Sequence, residues 1–243
     1  MVIIGTQCKH GKDKTYHLNK TLECEKIGYR LIHIFEYEWL NKQKIVKAKL
    51  KSLFGVEQER IYARKCDVRK IDSNTKNMFL NCYHMQGEDK SRVKLGLFYK
   101  DELVAVMTFG KPRFNKNYEW ELIRYATSKH VIGGASKLLS YFERNFNPTS
   151  IITYADRRFS QGNMYLKLGF TLKMVSLPGY LWISDEHSIY LNRLNCFKSN
   201  VKKMFDDYDE SLSIRENLIN HGFYQLFDCR KFCFCEGKIN DEI

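Results

Sequence analysis

The stretch VKLGLFYKDELVAVMTFGK, residues 93–111, decides the fold, because two apolar runs flank a short polar turn. Residues 93–99 and 103–109 are rich in β-branched and aromatic side chains, and Lys100, Asp101 and Glu102 separate them, which predicts a β-hairpin. The following YEWELIRYATS, residues 118–128, alternates apolar with polar residues and predicts a third antiparallel strand. We therefore expect a sheet in the middle of the chain.

Helix and strand patterns alternate after the hairpin. KHVIGGASKLLSYFERNF, residues 129–146, passes from a glycine turn into a helix, and SIITYAD, residues 150–156, predicts a buried strand. RRFSQGNMYLKLGF, residues 157–170, predicts a loop, a short helix and a further strand. This order predicts an α/β (α+β) domain over residues 58–200, with a mixed, mostly antiparallel sheet and flanking helices.

Two further segments flank this domain. Residues 1–57 predict a helix that ends near Gly28, a short strand at 29–35 and a lysine-rich helix at 36–55. Residues 201–243 hold 6 basic and 9 acidic residues and are predicted to form an acidic extension. Residues 1–200 therefore carry +15 of a chain whose formal net charge is +12.

Composition limits the function classes. A hydrophobic fraction of 44% and only 3 prolines exclude a disordered or collagen-like chain. No apolar run reaches the roughly 18 residues of a membrane span, and the short apolar start does not fit a secretory signal, so we expect a soluble, cytoplasmic protein.

The net charge favours a polyanionic partner, and duplex DNA comes first. A plainly solvated lysine surface is the alternative. The lysines predicted to contact DNA lie on the polar face of the second helix; they are Lys42, Lys44, Lys47 and Lys51.

Two polar clusters are candidate sites. Asp156 precedes Arg157 and Arg158 at the end of a strand, where the carboxylate is a candidate catalytic group, the arginines are candidate phosphate contacts, and a structural ion pair is the third option. The C-x3-C-x-C pattern of Cys229, Cys233 and Cys235 would need a fourth ligand such as His221 to hold zinc. Buried thiols are the simpler interpretation, and we predict no metal site.

Two blocks resemble the GNAT acyltransferases. HVIGGAS, residues 130–136, resembles the family's pyrophosphate-binding loop, and NMYLKLGF, residues 163–170, resembles its Asn…Tyr-x-Lys-x-Gly-Phe segment. The resemblance implies acetyl-CoA as cofactor and Tyr165 as the phenol that protonates the leaving thiolate. The implied cofactor-binding residues are Lys129, Val131, Gly133, Gly134, Ala135 and Asn163. The alternative is that Gly133 and Tyr165 serve turn geometry and packing only.

A longer resemblance, from about residue 11 to about 198, connects the chain with phage Hef-like homing endonucleases. Their front module is similar to very-short-patch repair (EDxHD-type) nucleases, and here GKDKTYHLNKTLECEKIGYRLIHIFEYEW, residues 11–39, matches its back half. The carboxylates that hold Mg²⁺ in that family lie N-terminal to this segment. We therefore expect a truncated nuclease module that needs a separate chain to bind Mg²⁺.

These observations predict a DNA-binding, homing-endonuclease-like phage protein, located in the cytoplasm of the host cell, that lacks its own nuclease residues. The alternative is a GNAT-type acyltransferase that uses acetyl-CoA on a nucleobase or protein amine. The second alternative is an inactive remnant of a selfish element. Asp156 and Tyr165 are the candidate catalytic residues.

Overall fold

The chain forms two compact units in a computed structural model, which describes residues 3–5, 13–56, 59–184, 186, 189–192 and 196–237. Unit 1 comprises Met1–Gln43, Asp156–Phe159 and Ser176–Lys231. Unit 2 comprises Lys44–Ala155, Ser160–Val175 and Phe232–Ile243. No helix in the described part of the chain is long and apolar enough to cross a membrane.

Helices and short strands alternate along the described chain. In chain order they are β1 (Ile3–Gly5), α1 (Tyr16–Lys26), β2 (Leu31–His33), α2 (Glu36–Leu53), β3 (Arg60–Tyr62), β4 (Asp67–Lys70), α3 (Ser73–Tyr83), β5 (Val93–Tyr99), β6 (Glu102–Gly110), β7 (Trp120–Thr127), β8 (His130–Ile132), α4 (Gly134–Phe146), β9 (Ser150–Asp156), α5 (Asn163–Lys167), β10 (Thr171–Val175), β11 (Tyr180–Ser184), β12 (Tyr190–Asn192), α6 (Lys198–Val201), α7 (Ile214–Asn220), β13 (Phe223–Phe227) and β14 (Lys231–Gly237).

A sheet of seven described strands forms the centre of unit 2, in the order β10-β14-β9-β7-β6-β5-β4. The predicted hairpin is β5 and β6, and its two turn residues, Lys100 and Asp101, have φ of 48° and 63°. Positive φ at both positions matches the twist of the flanking strands. The neighbours β4–β5, β5–β6, β6–β7 and β10–β14 are antiparallel, whereas β7 and β9 are parallel. The predicted mixed, mostly antiparallel sheet with flanking helices is confirmed.

Helices cover both faces of this sheet. Leu138 and Phe142 of α4 belong to the main core, where the rings of Phe142 and Phe109 stack with their centroids 3.7 Å apart. On the other face, Phe79 and Leu80 of α3 pack against β6 and β7. The apolar positions of both helices recur at helical spacing, which explains why each helix buries one face.

The strands β7 and β9 separate soon after they pair. Their parallel pairing covers only Trp120–Leu122 of β7 against Ile151–Thr153 of β9, although both strands continue beyond it. Backbone N–H and C=O groups along the facing edges are therefore left without a strand partner. The separation opens the sheet in the middle of unit 2.

The described part of unit 1 combines two small sheets with the helices α1, α6 and α7 and the start of α2. The strands β1 and β2 pair in parallel, and β11 pairs antiparallel with both β12 and β13. Phe35, Tyr37, Ile183 and Leu226 form one of its apolar clusters. The helix α1 lies against β2.

Two features differ from the sequence-based expectations. The predicted lysine-rich helix is interrupted at Lys42, which has φ −135° and ψ 31°, so α2 consists of two helices joined at a kink. The predicted acidic extension does not stand apart, because its last strand, β14, lies between β10 and β9 in the central sheet. The cause is the burial of apolar side chains of β14: Phe234 is 1% exposed and belongs to the main core.

Candidate active site

The glycine loop of unit 2 connects β8 to the first turn of α4. Gly133 has φ +75°, a left-handed conformation that favours glycine, and precedes the helix as its N-cap. A Cβ atom on Gly134 would lie only 3.0 Å from Tyr125 Oη and from Val131 Cγ1. The backbone conformation thus explains Gly133, whereas the close approach of Tyr125 explains Gly134.

An open groove of about 400 Å³ lies beside this loop. Its lining includes Gly133 and Ser136 at the start of α4, and Arg64 from the turn after β3. Lys137 also borders the groove, and its Nζ donates to the backbone carbonyls of Ala63, at 3.0 Å, and Cys66, at 2.5 Å. Cationic side chains and the positive end of a helix dipole thus face the same space, an arrangement that suits phosphate oxygens.

Tyr165 of α5 lies where β7 and β9 separate. Its ring stacks on Phe234 with centroids 5.3 Å apart, and its hydroxyl lies near that of Thr153, the last β9 residue paired with β7. The Thr153 hydroxyl itself donates to the Leu122 carbonyl at 3.0 Å. Burial raises the pKa of Tyr165, although the neighbouring Thr153 hydroxyl and the charge of Arg124 act in the opposite direction. The phenol therefore keeps its proton at neutral pH and is available as an acid.

The other residues implied for cofactor binding take different places. Ala135 is buried and belongs to the main core. Lys129 forms ion pairs with Glu59 and Glu102, at 3.1 and 2.8 Å. Val131 packs against the main core, and Asn163 is the exposed first residue of α5. Of the implied set, only Gly133 lines the groove, so the roles of the others stay predictions.

These residues fit a coenzyme A molecule. The groove at the start of α4 offers a place for its phosphates, and the unpaired edges of β7 and β9 offer backbone groups to its amide-containing arm. The described residues hold no group of three or more His, Cys, Asp or Glu side chains that suits a metal ion.

The polar cluster of unit 1 is a buried ion-pair network. Arg158 donates to Asp156 Oδ2 at 2.7 Å and to Glu38 Oε1 at 2.9 Å. The Arg158 and Glu38 side chains are 6% and 0% exposed. Although burial alone would raise it, the pKa of Asp156 is lowered by Arg158. Arg157 pairs with Glu25 at 2.6 Å. Of the three options for this motif, the geometry is that of a structural ion pair.

Two buried histidines adjoin this network. The rings of His17 on α1 and His33 on β2 lie 5.0 Å apart, edge to face, and His33 Nε2 is 2.8 Å from Thr21 Oγ1. Burial lowers the pKa of His17 to about 4 and that of His33 to about 3, and neighbouring cations add to both shifts. Both rings are therefore neutral at pH 7.

The cysteines and lysines singled out in the sequence are dispersed. Cys229 belongs to unit 1, whereas Cys233 and Cys235 lie on β14 in unit 2, buried with Tyr118 and Tyr154. His221 stacks on Phe205 and pairs with Asp207.

The Lys42 ammonium lies over the Tyr190 ring, at 5.3 Å from its centroid. The remaining predicted DNA-contacting lysines of α2, which are Lys44, Lys47 and Lys51, are exposed.

Sequence reasoning missed Arg124, which is 8% exposed on β7. The alternation of apolar and polar residues in YEWELIRYATS allows a polar residue at this position and does not show that it is buried.

No protein-family model matches the chain, and no curated protein matches it. Among solved structures, an acetyltransferase of Bacillus subtilis in complex with CoA is similar. The two share 14% sequence identity, with a TM-score of 0.38, over 72% of this chain and 99% of that protein. A likeness this weak carries no function across.

Proposed function

We propose that unit 2 is a coenzyme A-dependent acyltransferase. The observation that carries this proposal is the placement of Tyr165: its side chain, partly buried against the main core and near Thr153, lies at the point where β7 and β9 separate. The groove beside Gly133 and the start of α4 supports it, because a phosphate-bearing cofactor needs an anion-binding site at the other end of the opening.

Each part of the site has a separate task. The first turn of α4, with Arg64 beside it, binds the phosphates, and the unpaired edges of β7 and β9 hold the arm in an extended conformation. Acyl-coenzyme A, when bound, would supply an activated thioester carbonyl for attack by the acceptor. Tyr165 donates the proton of its Oη to the departing sulfur, since the phenol is protonated at neutral pH.

Replacing Tyr165 by Phe tests this assignment, because the ring and its contact with Phe234 stay while the acid is removed. We expect the dissociation constant for acetyl-CoA to change less than threefold and the rate of thiol release to fall by roughly 10²- to 10⁴-fold. Tyr141→Phe, which removes a hydroxyl from α4, is the matched control. Equal thiol release by Tyr165→Phe and the unmodified protein would contradict the role.

A second candidate function is binding of duplex DNA. It rests on the formal net charge of +12 and on the exposure of Lys44, Lys47 and Lys51. Affinity for a duplex of arbitrary sequence should fall steeply as salt rises, and changing all three lysines to Glu should weaken it further. Salt-independent binding, or no binding at low salt, would argue against this candidate.

A further inference from the structure

Arg124 is a buried cation whose bonds go only to neutral groups. Its Nε donates to the Gly87 carbonyl at 3.4 Å and its NH1 to the Ile123 carbonyl at 2.9 Å. Within the described chain, no carboxylate oxygen lies within the 4.0 Å of an ion pair from its nitrogens. A guanidinium has five N–H donors, so most of its capacity remains unused by these two bonds.

The carboxylates whose charges act on Arg124, which are Asp89 and Glu121, already have other partners. Asp89 pairs with Lys76 at 3.0 Å and accepts from the Thr108 hydroxyl, and Glu121 pairs with Arg113 at 2.6 Å. The group thus contains three cations and two anions, and one positive charge is in excess at Arg124. Burial lowers the pKa of Arg124 to about 10, which leaves it charged at neutral pH. An excess buried charge is costly unless an anion joins it.

The position of Arg124 links this charge to the proposed chemistry. Leu122 is the last β7 residue that pairs with β9, and Arg124 lies two positions after it. Arg124 is therefore located where the sheet opens. Its charge also acts on the Tyr165 hydroxyl. A ligand group bound by Arg124 would lie close to the acid of the transfer step.

We propose that Arg124 binds a carboxylate of the acyl acceptor, so that the acceptor is an amine that carries a carboxylate. This inference rests on the proposed function. A carboxylate can accept two parallel hydrogen bonds from a guanidinium. Its single negative charge balances the one excess positive charge at Arg124, whereas a phosphate dianion would bring one negative charge too many. In the transfer, the amine nitrogen bonds to the acyl carbon and the carbon–sulfur bond breaks. Tyr165 protonates the sulfur, the nitrogen releases a proton to water, and water reprotonates Tyr165.

The test compares amino acids with their amides as acceptors, using acetyl-CoA as donor and thiol release as readout. The probes are the common amino acids, together with 4-aminobutyrate and 4-aminobutanamide, in which the amine is far from the altered group. We expect at least one acid to exceed its amide in kcat/KM by roughly 10- to 100-fold, the range of a charge-assisted hydrogen-bonded pair. In Arg124→Gln this preference should disappear, and in Arg124→Lys it should be partly restored.

The control is Arg69→Gln, which removes an exposed arginine of β4 with the same change in charge and should keep the preference. Acetyl-CoA binding without any acid preferred over its amide would overturn the Arg124 proposal and leave the acyltransferase standing. Retention of the preference in Arg124→Gln would overturn it too. If Arg124→Gln does not fold, the comparison of acids with their amides as acceptors of the unmodified protein decides whether the Arg124 proposal holds. Absence of acetyl-CoA binding would instead refute the proposed function.

Discussion

Acidification should destabilise unit 1 through its two buried histidines. Both rings are kept neutral in the folded protein, with pKa values of about 4 for His17 and about 3 for His33 against an ordinary value of 6.5. The unfolded chain therefore takes up protons below pH 6.5 that the folded unit does not. Stability from this source is complete above pH 6.5 and is lost as pH falls toward the folded pKa values.

The magnitude follows from those values. Each pH unit between the folded and unfolded pKa costs about 1.4 kcal/mol per histidine, so the pair should lose about 4 kcal/mol of unfolding free energy between pH 7.5 and pH 5. His221, whose pKa is raised mainly by its hydrogen bond to Asp207, contributes in the opposite direction. Asp228, whose pKa burial raises, also opposes the loss at more acidic pH.

Urea unfolding followed by the fluorescence of Trp182, which is 4% exposed in unit 1, measures this loss. A Trp120→Phe background removes the buried tryptophan of unit 2 from the signal. The double variant His17→Gln and His33→Gln in that background should lose most of the pH dependence, because it keeps His221 and Asp228 but not the buried rings. A slope as steep in the double variant as in its parent would refute the reasoning.

Two other changes test the packing of each unit. Arg158→Met should cost about 3–5 kcal/mol of unfolding free energy, because it strands the buried carboxylate of Glu38 and the partly buried carboxylate of Asp156. Arg157→Met, next to a half-exposed Glu25, should cost under about 1 kcal/mol. Similar losses in urea unfolding would contradict the network. Gly162→Ala should lower the melting temperature more than Gly28→Ala does. Both glycines have positive φ, but only at Gly162 would the new Cβ lie against a ring, 2.0 Å from Phe234 Cζ. Equal shifts in melting temperature would disprove the close contact.

Local patterns were sufficient to predict the sheet and its helices. The hairpin at residues 93–109 and the strand at 118–128 follow from alternating side chains and a short polar turn, which are properties of neighbouring residues. The helix α4 likewise follows from its apolar spacing and the glycine before it. Such signals need no knowledge of distant parts of the chain.

Long-range partners were not predictable in the same way. Glu38 and Arg158 are 120 residues apart, and only the fold of unit 1 shows that they share a buried ion pair. The return of β14 to the middle of the sheet depends on Phe234 finding the main core, which its acidic surroundings in sequence conceal. For the candidate site, the sequence pointed to Tyr165 and Gly133 but not to Arg124, whose role depends on which carboxylates are already paired.

Calorimetric titration of acetyl-CoA into the full chain tests the central claim most directly. We expect a single site with a dissociation constant in the micromolar range, and we expect Ser136→Glu to abolish it. Ser136 is exposed in the first turn of α4 and lines the groove, so a carboxylate there favours the helix dipole while it repels phosphate. Asn74→Glu, the same charge change in the first turn of α3, should bind normally. No heat of binding to the unmodified protein, or equal binding by Ser136→Glu, would contradict the account.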